Sequence, residues 1–594
     1  MYEYGLIGNC QISALISKKG SIDWLCLPRP DDPPVFGKLL DPNGGSFSIE
    51  MIGPAESTQK YIVNTNILQT IVTQADGQKI EITDFCPRFL QYGRVYRPIA
   101  LFRIIKPLVG NPIITISCNP IQGWNKTPLK AIRGNSHLRY EYRGDDLRLT
   151  TNMSLTYLTE GTAFAIIEPL CFALTWGHGI EDDLPRVTSN FLEQTLQYWQ
   201  SWVKSCSIPS SYQMETIRSA LTLKLHCYED TGAILAALTT SLPEEHGASR
   251  NWDYRFCWPR DAYFTLSAFY NLGQYEEMEG FLRYLLGIAE QSYYLKDQLR
   301  PVYRLDQSVP SGEEEHSNWA GHKDSAPVRS NNQAAEHVQN DIYGEMLLIL
   351  APIFLDERFQ HLRNQHIQKL LFQLVNSCKK MISKPDAGLW EFRNGWKVHA
   401  FSNLMCWAGI NRANKFRASG ILKFPGHNLE EAEAFALQEL MLSVKNGVMR
   451  SSTDDNSALD ASLLLLPMLG YPDKVISSNT VSAITNNLVF CDENNKSYPG
   501  FYYRYTHQDD FGAPKSAFTI CSFWAIQAMI KLNRKEESKE IMQMVMGAAN
   551  HLGLFSEHFI PSIKAQRGNF PQAYSHVGQI NASFSISDRW EDVL

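Results

Sequence analysis

The apolar positions change their period once along the chain. Up to about residue 195, short runs rich in β-branched and aromatic residues alternate with turn signals, at residues 60–73, 79–85, 96–105, 113–118, 137–142 and 147–151. Asp76-Gly77, between the first two runs, is a strong hairpin signal. Many short strands separated by turns are typical of a β-sandwich. The pattern therefore predicts an N-terminal all-β sandwich domain over residues 1–191.

Beyond this point the pattern is helical. Residues 192–211 predict a connecting helix, and residues 212–594 predict a second, all-α domain. In the segment 276–291, apolar residues follow the three-and-four spacing of a helix face: Met278, Phe281, Leu282, Leu285 and Ile288. Gly273 is expected to end the preceding helix. Further helices are predicted over 338–354, 361–382, 428–445, 460–469 and 517–532.

Length and charge narrow the functional classes. A chain of 594 residues is too long for one ordinary core. The net charge of −7 and the lack of a basic cluster argue against nucleic acid or an anionic membrane as a partner. The start of the chain does not resemble a secretory signal, which predicts a cytoplasmic protein. Export by a route without an N-terminal signal stays open, as does the oligomeric state.

The cysteines and histidines do not suggest a metal site. The 12 cysteines are scattered singly, without a Cys-x-x-Cys pair, and are expected to be free and mostly buried. His316 and His322 flank an acidic segment, but their spacing matches no known metal site. We therefore predict neither a metal nor a cofactor.

Two segments combine carboxylates with aromatic residues. The first, residues 250–261, holds two Trp, two Asp and three Arg and ends in Arg260-Asp261, which can offer donors and an acceptor to vicinal hydroxyls. A buried ion pair with aromatic packing would explain the same composition. In the second segment Glu391 follows Trp390. A glutamate beside an indole loses solvation, which favours the protonated form that a general acid needs.

Two further segments are less specific. Arg504 lies in an aromatic run and could bind a sugar hydroxyl, orient a carboxylate or make a structural cation–π contact. Glu557 precedes a predicted long loop that ends near Tyr574, and as an ionised carboxylate it could activate water. One acidic and one basic carboxyl group are the minimum that glycosidic hydrolysis requires.

Taken with other motifs, these segments make the sequence resemble glycoside hydrolase family 15, which contains glucoamylases, glucodextranases and some prokaryotic trehalases. The resemblance covers nearly the whole chain. The matching motifs occur in order at residues 4–10, 20–28, 239–244, 251–255, 327–329, 332 and 339–345.

This resemblance implies a β-sandwich followed by an (α/α)6 barrel, and hydrolysis with inversion at the anomeric carbon. It implies that Glu391 is the general acid and Glu557 the general base. It also implies a set of substrate-binding residues around the first glucose: Trp258, Arg260, Asp261, Trp390, Arg504 and Tyr574.

The expected function is that of an inverting, exo-acting glucan 1,4-α-glucosidase (glucoamylase) that releases β-D-glucose from the non-reducing ends of starch, glycogen or maltooligosaccharides. An α,α-trehalase or a glucodextranase with the same catalytic pair is the alternative, and a non-catalytic carbohydrate-binding protein is a remote one. Asn403 and Pro514-Lys515 depart from the family's pattern, which leaves the leaving-group specificity open. The expected partner is an α-glucan or α-glucoside substrate.

Overall fold

The computed structural model describes residues 1–295, 298–310, 312–426 and 428–593. Its N-terminal part is built from strands β1 (Tyr4–Gly8), β2 (Ser13–Ser17), β3 (Ile22–Cys26), β4 (Pro34–Phe36), β5 (Ser46–Met51), β6 (Ala55–Tyr61), β7 (Leu68–Gln74), β8 (Lys79–Phe85), β9 (Phe89–Gln91), β10 (Arg94–Tyr96), β11 (Ala100–Val109), β12 (Ile113–Asn119), β13 (Ile132–Arg133), β14 (His137–Tyr142), β15 (Asp145–Thr151), β16 (Phe164–Ala165) and β17 (Leu170–Trp176).

These strands form two antiparallel sheets. Within the described residues, one sheet has the order β1-β2-β3-β5-β12-β16 with β4 beside β3, and the other has the order β13-β14-β15-β17-β11-β8-β7-β6. The two sheets share one hydrophobic core. The predicted β-sandwich is confirmed. The domain boundaries at residues 191 and 211 stay predictions.

The turns of the sandwich follow the sequence signals only in part. The Asp76-Gly77 turn joins β7 to β8 in an antiparallel hairpin, as predicted. Residues 60–73, predicted as one strand, are divided between β6 and β7 by a turn in which the Thr65 hydroxyl donates to the Ile62 carbonyl at 2.8 Å. The turn at 110–112 makes no hairpin, because β11 and β12 belong to different sheets and the chain crosses between them there.

The rest of the fold is helical. The helices are α1 (Leu155–Glu160), α2 (Leu184–Ser205), α3 (Gln213–His226), α4 (Pro259–Leu272), α5 (Tyr275–Leu295), α6 (Asp341–Leu355), α7 (Gln365–Met381), α8 (Ala400–Ala418), α9 (Leu429–Met441), α10 (Leu466–Leu469), α11 (Lys474–Asn487), α12 (Thr519–Lys531), α13 (Lys535–Val545), α14 (Ala573–Ile586) and α15 (Trp590–Val593).

The helices close into a ring. In the described part of the chain, the inner elements follow one another as α4, α6, α8, the 3-10 turn Ala461–Leu465 with α10, α12 and α14, and α14 returns to α4. Each inner element packs against one outer helix: α5, α7, α9, α11, α13 and α3 in the same order. Helices α6, α8, α12 and α14 are buried on almost all sides, as inner helices must be. This arrangement is the predicted (α/α)6 barrel.

Short strands lie in the connections of the barrel: β18 (Cys227–Tyr228), β19 (Ala233–Ile234), β20 (Glu314–His316), β21 (Val328–Ser330), β22 (Val444–Lys445), β23 (Val448–Met449), β24 (Val489–Cys491), β25 (Ser497–Tyr502), β26 (Ala517–Phe518), β27 (His558–Ile560) and β28 (Ala565–Arg567). The long loop predicted after Glu557 was wrong. The chain forms the hairpin β27–β28 there, and Tyr574 lies in the first turn of α14 rather than at a loop end. Helix α14 is buried all round, so its sequence carries no amphipathic period.

The sandwich supports one end of the barrel directly. The Trp24 indole donates to the Leu238 carbonyl at 2.8 Å. The Tyr2 hydroxyl donates to the Gly568 carbonyl at 3.1 Å, and the Tyr2 amide donates to Gln566 Oε1 at 3.0 Å. Because Gly568 packs against Glu557, the first residues of the sandwich hold the connection behind that glutamate.

The two histidines that flank the acidic segment have partners within the fold. His322 donates to the Leu39 carbonyl at 2.9 Å, and His316 stacks on Trp124 and bonds Ser330, so both histidines have structural partners.

Among the described helices, none has an apolar stretch of the length that a membrane crossing needs.

Candidate active site

A cleft of about 950 Å³, including its mouth, lies where the connections of the barrel meet the N-terminal ends of the inner helices. Backbone N–H groups at such ends carry partial positive charge and favour acidic and hydroxyl-rich partners. The structure brings all eight residues predicted from the sequence to this one cleft: Trp258, Arg260, Asp261, Trp390, Glu391, Arg504, Glu557 and Tyr574.

Glu391 is positioned by a tight turn. Gly388 and Glu391 both adopt positive φ, at 64° and 61°, and the Glu391 amide donates to the Gly388 carbonyl at 3.1 Å. For a residue other than glycine this conformation is strained, by about 1–2 kcal/mol. The surrounding structure therefore holds Glu391 in a backbone conformation that is unfavourable for a residue other than glycine.

The carboxylate of Glu391 is held by two donors on one oxygen. The Trp258 indole donates to Oε1 at 2.7 Å and the Arg260 guanidinium donates to the same atom at 3.0 Å. Arg260 also donates to the Leu389 carbonyl at 2.9 Å. Burial opposes the charge of Arg260, but the carboxylates of Glu391 and Asp261 outweigh it and raise the pKa of Arg260. Both donors therefore point at the same carboxylate oxygen of Glu391.

Asp261 lies in the first turn of α4 and lines the cleft. Its buried Oδ1 forms an ion pair with Arg260 Nε at 3.5 Å and accepts no shorter hydrogen bond from the described residues. Burial raises the pKa of Asp261 to about 6, against the lowering effect of Arg260 and together with the negative charge of Glu391. A contact of 3.5 Å is long for a hydrogen bond, so this oxygen can still accept a hydrogen bond from a substrate hydroxyl.

Below Arg260, helix α6 adds two carboxyl groups that sequence reasoning did not single out. Asp341 and Glu345, one turn apart, are fully buried, and their carboxyl groups hydrogen-bond each other. Burial raises the pKa of Asp341 to about 6 and that of Glu345 well above its ordinary value. Where these groups ionise, their negative charge adds to the raised pKa of Arg260.

Glu557 is fixed by backbone contacts on both sides. Its amide donates to the Asn569 carbonyl at 3.1 Å, and its carbonyl accepts from the Thr519 amide at 3.0 Å. The Asn569 amide donates to Oε2 at 3.3 Å, and Glu557 is only 2% exposed. The hydroxyl of Tyr254 bonds the same carboxylate. Burial and the charge of Glu557 raise the pKa of Tyr254 well above its ordinary value, so the hydroxyl stays protonated and donates a hydrogen bond to Glu557.

Arg504 does not contact Glu557 but pairs with a carboxylate that the sequence clusters did not reveal. Its guanidinium forms a two-pronged ion pair with Glu244, at 2.9 and 3.2 Å. Burial opposes ionisation of Glu244, but Arg504 outweighs it and lowers the pKa of Glu244. Glu244, Glu557 and His558 lie close enough together to suggest a cation site. Arg504 and Arg250 already supply the positive charge there, so the geometry does not call for a metal.

Aromatic rings form one wall of the cleft. The Trp390 indole donates to both oxygens of buried Asp460, at 3.0 and 2.9 Å, which fixes its ring plane. Trp524 packs edge-to-face on Tyr574 with ring centroids 5.8 Å apart. Burial raises the pKa of Tyr574 well above its ordinary value, and the charge of Asp261 raises it further. Rigid aromatic faces of this kind suit the apolar faces of a sugar ring.

The site thus contains two carboxyl groups on separate connections, each with its own donors, together with an arginine–aspartate pair and an aromatic wall. Such a set can protonate a leaving oxygen and activate a water, and the fold and the cleft together define a glycoside hydrolase. Residues 211–541 match the family described as Glycosyl hydrolases family 15, and residues 2–165 match a trehalase-like N-terminal family. The chain belongs to glycosyl hydrolase family 15.

The similarity to several other proteins extends over almost the whole chain. Trehalase of Mycolicibacterium smegmatis is 29% identical, over 98% of this chain and 90% of its own. Trehalase 1 of Sulfolobus acidocaldarius is 31% identical, over 97% of each chain. A bacterial glucoamylase solved in complex with acarbose superposes with a TM-score of 0.69 over 98% of this chain and 94% of its own, at 14% identity. At that identity the structural likeness establishes the shared fold alone.

Proposed function

We propose that this enzyme is an α,α-trehalase that hydrolyses trehalose to two molecules of glucose with inversion. The observation that carries the proposal is the similarity to proteins named trehalase along nearly the whole chain, sandwich included. The glucoamylase expected from the sequence is supported by likeness of fold only. The alternative recognised at the level of the sequence therefore replaces the main expectation.

In the proposed mechanism Glu391 is the general acid. It donates its proton to the oxygen between the two glucose units as the glycosidic bond breaks. The resulting carboxylate is stabilised by the Trp258 and Arg260 donors, which already point at its Oε1. These contacts strengthen as negative charge develops, so they favour the transition state over the ground state.

Glu557 is the proposed general base. It removes a proton from a water that attacks the anomeric carbon on the face opposite the departing oxygen. Tyr254 and the Asn569 amide orient its carboxylate. Arg260, Asp261, Trp258, Trp390, Arg504 and Tyr574 are the proposed residues around the glucose that is attacked. One glucose is released as the β anomer, and the other leaves as the α anomer.

The test is a side-by-side assay of glucose release from trehalose, maltose, isomaltose and glycogen, with Glu557→Gln as the control for contaminating activity. We expect trehalose to be hydrolysed with the highest kcat/KM. Faster release from maltose and glycogen would instead identify a glucoamylase, and faster release from isomaltose a glucodextranase. No release from any of the four, with sugar binding retained, would favour a carbohydrate-binding protein.

A further inference from the structure

A short segment of the connection before α12 lines the cleft. We call residues 509–512 the strap. On one side the Arg250 guanidinium binds the Asp509 carboxylate and donates to the Gly512 carbonyl at 2.6 Å. On the other side the Arg393 amide donates to Asp510 Oδ2 at 2.7 Å, in the turn that carries Glu391. The strap therefore bridges two walls of the cleft.

The aromatic residue of the strap is held between charged groups. The Phe511 ring lies 4.9 Å from the Arg393 guanidinium and 5.9 Å from that of Arg250. It also packs edge-to-face on Trp252, with ring centroids 5.5 Å apart. Both rings line the cleft and are partly exposed. These cation–π contacts fix the position of the Phe511 ring, and its exposed part is available to a ligand.

His337 faces the same part of the cleft. It is only 6% exposed, and its Nδ1 has no hydrogen-bond partner within the described ranges. Burial lowers the pKa of His337 against the raising effect of Glu391, and the charges of Arg393 and Asp510 also act on it. A neutral imidazole can accept from or donate to a hydroxyl. A buried ring nitrogen without a partner, beside the proposed acid, suits a ligand that arrives with hydroxyl groups.

The position of these groups relative to Glu391 decides which sugar they meet. A general acid protonates the oxygen that leaves, so groups that neighbour Glu391 and its turn and lie outside the proposed set around the attacked glucose are candidates to border the leaving sugar. We propose that His337 hydrogen-bonds the leaving sugar and that the strap limits this space to one sugar unit. The enzyme would then accept disaccharides and exclude longer glucans. This inference rests on the proposed function and deepens it.

The first experiment separates the leaving sugar from the sugar that is attacked. α-D-Glucosyl fluoride has no leaving sugar, whereas trehalose has one. We expect His337→Ala to lower kcat/KM for trehalose about tenfold, the effect of one lost hydrogen bond, and to change that for the fluoride less than about twofold. His361→Ala, at an exposed site outside the cleft, is the matched control. Equal losses on both substrates, or no loss on trehalose, would overturn the assignment of His337.

The second experiment tests the size limit through competitive inhibition of α-D-glucosyl fluoride hydrolysis, so it needs no turnover of the inhibitor. We expect the wild-type enzyme to bind maltose at least about tenfold more tightly than maltotriose, since a third sugar has to displace the strap. Phe511→Ala should remove most of this difference, whereas Phe435→Ala, on an exposed face of α9, should not. Asp510→Ala, which removes the hydrogen bonds of the strap to the Arg393 amide and to Asn394, should act in the same direction.

Tighter binding of maltotriose than of maltose by the wild-type enzyme would refute the size limit, as would an unchanged ratio in both strap variants. These outcomes are distinct from failure of the proposed function. A chain that prefers maltose to trehalose is not a trehalase, yet the fluoride and inhibition measurements still decide whether His337 and the strap border a space for one leaving sugar.

Discussion

Replacing Glu557 with alanine would remove the proposed base and leave a defined space behind it. The side chain packs directly on Gly568, so close that a Cβ added to that glycine would overlap Oε2. Truncation therefore opens a gap of about the size of a carboxylate at the back of the cleft. The Asn569 amide and the Tyr254 hydroxyl, which bond Glu557, stay in place as donors. A small anion such as azide can occupy this gap.

The expected loss follows from the role of the base. Removal of a positioned proton acceptor lowers kcat by about 10²–10⁴-fold. Azide needs no deprotonation, so it should restore turnover of α-D-glucosyl fluoride and attack from the face that water uses. The product would be β-D-glucosyl azide, identified by proton NMR. Formation of the α-azide would indicate that Glu557 is on the other face of the sugar.

Glu391→Ala should behave in the opposite way. Fluoride leaves without protonation, so this variant should keep hydrolysis of α-D-glucosyl fluoride within about tenfold while it loses about 10²–10⁴-fold on trehalose. Azide should not rescue it. If Glu391→Ala lost both activities and Glu557→Ala kept the fluoride reaction, the acid and base assignments would have to be exchanged.

Three further outcomes are expected. Gly568→Ala should lower both activity and thermal stability, because it forces an L residue into φ 70° and displaces Glu557; Gly470→Ala, at φ 78° with open space around it, should lower stability only. Asp341→Asn should lessen the loss of stability between pH 4 and pH 7. The folded-state pKa of Asp341, about 6, lies above its ordinary value of 3.8, so its stabilising contribution is complete below about pH 4 and declines by about 3 kcal/mol in all as the pH rises to just above 6. Thermal melts of variant and wild type at the two pH values check this, and equal shifts would contradict it. Proton NMR of the earliest products should show β-glucose formed at the attacked carbon, whereas α-glucose alone would mean retention.

The sequence predicted the elements that carry a clear local signal. The Asp76-Gly77 hairpin is present, and Gly273 ends α4 with φ 72°, as its position after the periodic residues predicts. Helix α8 was missed for a physical reason. It is an inner helix buried on almost all sides, so its residues show no alternation between a wet and a dry face. The same burial hid the start of α14 and made Tyr574 look like a loop residue.

The same difference between local and tertiary signals applies to the residues of the candidate site. Clusters of residues close in sequence, such as Arg260-Asp261 and Trp390-Glu391, drew attention to segments that line the cleft. Glu244 lies 260 residues from Arg504, its partner in a buried ion pair, and no local composition indicates that contact. His337 likewise becomes notable only when the fold places it beside Glu391 with an unpaired nitrogen. Tertiary neighbours of this kind cannot be deduced from spacing along the chain.

The hydrogen bond from Tyr2 to the Gly568 carbonyl joins residues 566 positions apart. Contacts of such sequence separation carry the largest loop-closure entropy and form late during folding. The barrel can acquire its helices from local interactions, but the connection behind Glu557 is complete only after the two ends of this long span have met. Helical structure should therefore return before enzymatic activity when the denatured chain refolds, because the segment behind the proposed general base is complete only once this contact has formed.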